Sequence, residues 1–439
     1  MNLPLYSLLR RANRMVKARK KARAGAYLSP CRRIEFVYPP KRRVCAMTFD
    51  DGPCMAGTVP DVSGGGSLTG YLLDVLASYR ARGVFDVIGS TAENYPDRAG
   101  KENTLFIFGR AYDHYAYFEG DALAGVAACP ALLRRMAAEG HELANHSYRH
   151  LLFGRNLTVY RRRRHWHTLD EVVGDLSRLH EAVENETGVA MRLARPPHYV
   201  DRIPDGSSAY DAYIRMGYQY MAASADGGCW FPSSQDDRAD AEASVSRLRA
   251  LLQDDPDALR GKIIFQKDGY NMSRRSPVAL ALPLQLQLLS DYGYEVVTVS
   301  EMLDLSPFED LSPDDPCFDA ARAMLRDGHV VGYRNNSCQP DRVVTAGELC
   351  QMAAGGQKQG QQGQQGQLTA AGGRNPYAGV LDWAVGIGLY KAGVDGKAPA
   401  SAGDIARAAR LLGLPCDRPR GNTRRDAILA LGAGNAPPA

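Results

Sequence analysis

Apolar positions in the first two thirds of the chain follow two alternating patterns, short unbroken runs and longer stretches at helical spacing. Residues 44–49, Val-Cys-Ala-Met-Thr-Phe, form an almost unbroken apolar run of strand length, the pattern of a strand buried on both faces of a parallel sheet. Gly52-Pro53 stops it. Leu68, Leu72, Val75, Leu76 and Tyr79 then recur at helical spacing before Gly83, and residues 84–88 read as the next strand. The cadence continues with a helix over 132–139 closed by Gly140, a strand over 141–145, and a helix opened by a Thr168/Glu171 capping box and closed by Gly188. Strand-like runs at 191–194, 218–222, 262–265 and 295–299 alternate with helical patterns at 208–216, 242–253 and 277–292. About seven strands alternating with helices predict an α/β domain with a parallel sheet, open or closed into a barrel.

One segment breaks this rhythm. Residues 91–130 are long for a connection and carry Phe106, Phe108, Tyr112, Tyr115, Tyr117 and Phe118. Such rings stack on sugars or pack on one another in a surface insertion, and both readings fit. After residue 305 the texture changes again. Residues 357–367 are Gln/Gly-rich, a flexible linker by composition. Around it stand three similar phrases, Thr345-Ala-Gly-Glu348, Ser401-Ala-Gly-Asp404 and Thr423-Arg-Arg-Asp426. Each sets a hydroxyl residue three positions before an acid and ahead of an apolar run, which is a helix start, and the repetition suggests copies of a small helical module. The expected organisation is a basic N-terminal segment at 1–42, a barrel domain at 43–305, one module at 306–356, a linker at 357–376 and further modules at 377–439.

Composition changes this picture little. A hydrophobic content of 45% fits a globular chain, and a net charge of +4 gives no ground for a nucleic-acid partner. Arg161 to Arg164 either grip an acidic polymer or form a solvated basic loop. Nine cysteines, spread thinly, make neither a Cys-x-x-Cys metal pattern nor a disulfide framework. No window of about 18 apolar residues predicts a transmembrane helix. The first residues have too short an apolar run for a standard signal peptide, a pattern that fits a cytoplasmic location as well.

Two features carry chemistry. Asp50 and Asp51 fall where the first strand ends, the end at which parallel sheets collect ligands. Adjacent acids are costly when buried unless a cation or a shared proton compensates, whereas an Asp-Gly turn in water needs neither. His146-Ser-Tyr-Arg-His150 places two imidazoles at i, i+4, predicted on one face of a helical turn just past the strand ending at Asn145. Asp51 and both histidines lie at inferred strand ends, so they can converge on one ion and leave a position open.

Thr48-Phe-Asp-Asp-Gly-Pro53, His146-Ser-Tyr-Arg-His150 and Arg195-Pro-Pro197, in that order, resemble the motifs of the polysaccharide deacetylase family, carbohydrate esterase family four, over residues 43–303. The resemblance implies a distorted (β/α)7 barrel and hydrolysis of the acetamide of N-acetylated sugars, N-acetylglucosamine polymers of the cell wall or chitin type. It implies that Asp51, His146 and His150 hold Zn²⁺, or Co²⁺ or Mn²⁺, and that Asp50 is the general base. Arg195 would keep Asp50 ionised, and the backbone N–H of His198 would help bind the developing oxyanion. The later motifs depart from the family. Gln266-Lys267-Asp268 puts Lys267 where the family's leaving-group acid is a histidine, and Asp226-Gly-Gly-Cys-Trp230 puts Cys229 where an acid is usual. Trp230 would wall the acetyl pocket, or serve the core. A glycan-binding protein that keeps the metal cup without turnover is the alternative these two changes raise. The C-terminal phrases resemble S-layer homology modules, which implies a secondary cell-wall polymer as partner and a place in the cell envelope; a helical appendage for packing fits the same residues.

Overall fold

The computed structural model describes residues 15–55, 66–92, 105–107, 110–112, 123–155, 164–228, 236–268, 277–355, 377–415 and 419–432. The chain forms two compact units, Met1–Arg19 with Arg33–Leu305, and Lys20–Arg32 with Ser306–Ala439.

The first unit is built on β2 (Val44–Asp50), whose seven residues are all buried. Its unbroken apolar run needs cover on both faces, and the sheet around it supplies neighbours on both edges. β10 (Ile263–Lys267) pairs along Ala46 to Asp50. Along the other edge, β11 (Glu295–Val297) takes Val44 to Ala46 and β3 (Val84–Val87) takes Thr48 to Asp50. Beyond β3 follow β6 (Glu142–Asn145), β7 (Leu193–Ala194), β8 (Gln219–Met221) and β1 (Arg33–Ile34), while β9 (Ala225–Asp226) lies beyond β10. All these pairs are parallel. β8 and β9 stand near opposite ends of this order yet only residues 222–224 separate them, so the sheet has to curl round into a barrel-like shape. The seven expected strands are all present in this curled parallel sheet, and among the described residues two more join it, β1 and β9, each two residues long and too short to show a pattern.

The connecting helices are α1 (Leu68–Ser78), α2 (Pro130–Ala138), α3 (Leu169–Thr187), α4 (Ala209–Met216), α5 (Asp237–Asp254), α6 (Val278–Asp291) and α7 (Val299–Leu305). α3 opens on the reciprocal Thr168/Glu171 capping box and closes on Gly188 at φ 72°, a left-handed cap suited to glycine. β4 (Leu105–Ile107) and β5 (Arg110–Tyr112) form an antiparallel pair within the aromatic segment; Phe108, Tyr115, Tyr117 and Phe118 lie outside the described residues, as do Arg161 to Arg163 and the Gln/Gly-rich linker. Among the described residues no helix is long and apolar enough to cross a membrane.

The second unit holds α8 (Phe318–Arg326), α9 (Ala346–Ala354), α10 (Ala378–Gly386), α11 (Ala402–Leu411) and α12 (Arg424–Gly432). Thr345 and Ser401 complete capping boxes with Glu348 and Asp404, and Thr423 exchanges the same bonds with Asp426. The three starts meet: Thr345 bridges Pro399, and Val343 bridges Thr423. Beneath them Arg424 and Glu348 are buried 3.7 Å apart, with Tyr333 donating to Glu348 at 2.5 Å. The segment Lys20–Arg32 is part of this unit. Ser29 N donates to Gly332 O at 3.0 Å, and Arg32 donates to Pro307 O at 2.9 Å and Asn336 Oδ1 at 2.6 Å.

Candidate active site and metal centre

Register builds the site. Lys267, Asp50 and Asp86 are direct partners across β10, β2 and β3, so their side chains leave the sheet on one face. Asn145, last in β6, pairs Ala194, last in β7, which sets His146 and Arg195 side by side at the same carboxyl end. The chain then turns sharply. Asp51 takes φ 79°, and Gly52 is pressed so close to Asp268 that an added Cβ would lie 2.0 Å from the Asp268 carboxylate. Asp268 N donates back to Asp50 O at 2.7 Å, and its Oδ1 accepts from Thr69 Oγ1 at 2.6 Å. Of the eight described non-glycine residues at positive φ, five are Asp51, Ser147, His150, His198 and Tyr199, all on loops at this end of the sheet. Strained backbone gathered in one place is a mark of a functional site.

Asp51, His146 and His150 come together. Asp51 Oδ1 lies 3.2 Å from His146 Nε2 and 3.1 Å from His150 Nε2, and all three residues are buried. The His-x-x-x-His segment is not the helical turn expected from its spacing. It is a loop with Ser147 at φ 78° and His150 at φ 52°, and the two rings, with centroids 5.1 Å apart, converge by loop curvature. Asp50 stands beside the trio. Its Oδ2 is 3.8 Å from His146 Nε2, and its Oδ1 is held by the guanidinium of Arg195. Arg195 is fully buried and also donates to Thr48 Oγ1 at 3.1 Å and Met221 O at 3.3 Å. Lys267 Nζ is bonded to Asp51 Oδ2, so this lysine reaches the carboxylate that faces the two imidazoles. His198 sits in the turn Pro197–Tyr199, its ring 5.2 Å from that of His150. Trp230 and Cys229 lie outside the described residues.

Asp86 belongs to the site and escaped the sequence reading, because one acid inside Val-Phe-Asp-Val looks like ordinary strand alternation. Its Oδ2 lies 3.0 Å from His146 Nδ1 and 3.9 Å from Arg195 Nε. The Arg195 carbonyl is also 2.8 Å from that Nδ1. The Arg195 carbonyl hydrogen-bonds Nδ1 and Asp86 lies at ion-pair distance beside it, so Nε2 is the nitrogen that faces Asp51, the arrangement by which second partners orient a metal-binding imidazole.

The electrostatics draw positive charge in. Burial opposes ionisation of Asp51, but Lys267 and the two imidazoles hold its carboxyl well below the usual range. Burial likewise disfavours a charged His146, yet Asp86, Asp51 and Asp50 outweigh it and hold that imidazole well above the histidine range. Burial pushes His150 down to about 4, which leaves a neutral ring. Burial also pushes Asp50 up to about 7 in spite of Arg195, with Asp86 adding to the rise. A buried carboxylate and two imidazole nitrogens within 4.8 Å of one another form a donor set that fits a divalent cation.

Residues 38–220 match the family model for polysaccharide deacetylases. Every residue of the cup, together with Asp50, Asp86 and Arg195, falls inside that polysaccharide deacetylase match; Lys267 lies past it. The chain is similar to a peptidoglycan-N-acetylmuramic acid deacetylase, PdaC of Bacillus subtilis (strain 168), at 24% identity over 263 residues, 60% of this chain and 39% of the relative. It therefore spans well under half of that protein's length. Among solved structures, peptidoglycan deacetylase PdaC from Bacillus subtilis aligns at 24% identity over 61% of this chain and 92% of that one, with a TM-score of 0.38. Bacillus subtilis PdaA, a family 4 carbohydrate esterase, aligns at 21% identity over 62% and 85%, with a TM-score of 0.39.

Proposed function

We propose that the protein is a divalent-metal-dependent N-deacetylase of cell-wall polysaccharide, removing acetyl groups from amino sugars of the peptidoglycan type. The observation that carries this reading is the pairing of the Asp51, His146 and His150 cup with a separate carboxylate, Asp50, held by Arg195 beside it. A bound cation, Zn²⁺ or else Co²⁺ or Mn²⁺, would polarise the amide carbonyl and acidify a water. The chain's own groups supply the rest. Asp50 takes the proton of the attacking water. Arg195 orients it. Lys267 anchors Asp51 Oδ2, so that Oδ1 faces the imidazoles, and its ammonium would give a proton to the departing amine. The N–H of His198 serves the developing oxyanion, and Trp230 the acetyl group.

The purified chain is expected to release acetate from N-acetylated glycan, polymeric N-acetylglucosamine and peptidoglycan being the first substrates to try, and to stop when chelated. Glycan binding in a calorimeter without any acetate, with Zn²⁺, Co²⁺ and Mn²⁺ each supplied, would replace this reading by that of a non-catalytic binder. The second unit is proposed to hold a secondary cell-wall polymer, on the resemblance of its three capped helices to S-layer homology modules, which would place the protein in the cell envelope. Full-length protein should then sediment with purified walls, and stripping the polymer from the walls should release it; equal sedimentation with stripped walls contradicts the idea.

A further inference from the structure

The cup depends on a loop that has no reason of its own to hold its shape. Between His146 and His150 the backbone is neither helix nor strand, and Ser147 and His150 occupy positive φ, a conformation that non-glycine residues keep only when their surroundings over-determine it. Those surroundings come from α3. Its buried face is Val172, Asp175, Leu176, Leu179 and Val183, an apolar stripe with one acid in it. Asp175 is 6% exposed. Burying a carboxylate there is costly unless donors surround it, and the donors are the three residues between the imidazoles. Ser147 Oγ donates to Asp175 Oδ2 at 2.6 Å, Tyr148 N to the same oxygen at 2.8 Å, and Arg149 N to Oδ1 at 3.3 Å. Two further contacts tie the loop to α3: Asn145 Nδ2 donates to Leu176 O at 2.9 Å while its Oδ1 accepts from Ser147 N at 3.0 Å, and the Arg178 guanidinium lies 3.7 Å over the Tyr148 ring.

We infer that Asp175 is a positioning residue for the metal centre, fixing the loop 146–150 on α3 so that both Nε2 atoms face Asp51. The inference rests on the metal reading of the cup. Ligand groups have to be held to within about 0.5 Å to work, and this carboxylate is the part of α3 that touches every residue between them.

The test compares Asp175→Asn with the wild-type full chain, and with Asp170→Asn as a control of equal charge change on the exposed side of the same helix. Zn²⁺ affinity is read by competition with a chromophoric chelator, Co²⁺ absorption in the visible reports coordination, and melting is followed on metal-free protein. Asp175→Asn should bind Zn²⁺ at least about tenfold more weakly and give an altered Co²⁺ spectrum, the size of effect known for groups that orient ligands. Its metal-free melting should change far less than its affinity, and Asp170→Asn should match the wild type throughout. Affinity and spectrum equal to wild type in Asp175→Asn would overturn the inference. If that variant fails to fold, Ser147→Ala decides, since it removes only the hydroxyl contact: a several-fold loss of affinity supports the inference and an unchanged affinity overturns it. Acetate release is not read here, so a wild type that binds Zn²⁺ without turnover defeats the proposed function and leaves this inference standing, while a wild type that binds no metal defeats both.

Discussion

Asp50→Asn is expected to lower acetate release by about 10²- to 10⁴-fold, the range a positioned general base contributes, while Zn²⁺ affinity stays within a few-fold of wild type. The variant keeps the shape of the side chain and its carbonyl can still meet Arg195, but an amide takes no proton from water. Asp50 stands beside the cup rather than in it: one oxygen is held by Arg195, and the other, 3.8 Å from His146 Nε2, is farther from that nitrogen than Asp51 Oδ1 at 3.2 Å. The paired readout matters, since Asp50, Asp86 and His146 form a second group of possible ligands. Loss of metal together with activity in Asp50→Asn would mean that this second group holds the ion and that Asp50 is a ligand.

Arg195→Met is expected to cost about 3–5 kcal/mol of stability in urea unfolding of the metal-free protein, as well as activity. Methionine fills much of the volume but leaves Asp50 and Asp86 buried next to each other without their common cation, and breaking a buried pair from one side costs that much. Arg195→Lys should fall between the two, because an ammonium restores the charge but not the fork that reaches Thr48 and Met221 together. A loss under about 1 kcal/mol in Arg195→Met would show that Asp50 does not need the arginine, and would remove the reason given for its orientation.

The sheet was legible in the sequence wherever a strand was long enough for its apolar run to stand out. β2, β3, β6 and β10 lie where those runs fall, and Gly188 and Gly217 close their helices at φ 72° and 74°. Two-residue strands carry no period, so β1 and β9 needed the sheet itself to show them. The chemistry divides the same way. Asp51, His146 and His150 could be picked out because strand ends and ligand types coincide there, but their i, i+4 spacing suggested a helical turn where the chain makes a loop. Spacing along the chain does not report φ, and the positive values at Ser147 and His150 come from partners remote in sequence. Asp86 and Asp175 stayed hidden for a related reason. Each is one acid among the apolar residues of a buried strand or helix face, and only a neighbour across the fold, His146 for one and the 147–149 backbone for the other, explains why it is there. The one available signal was an acid on the buried stripe of α3.

The proposed activity depends on a cation held by Asp51, His146 and His150. Its most direct test is acetate release from N-acetylated glycan by metal-stripped protein as Zn²⁺ is added back. Activity should be absent at first, rise linearly, and level off at about one equivalent per chain, and the same titration of His150→Ala should stay flat. Full activity before any metal is added, or an unimpaired His150→Ala, would contradict it.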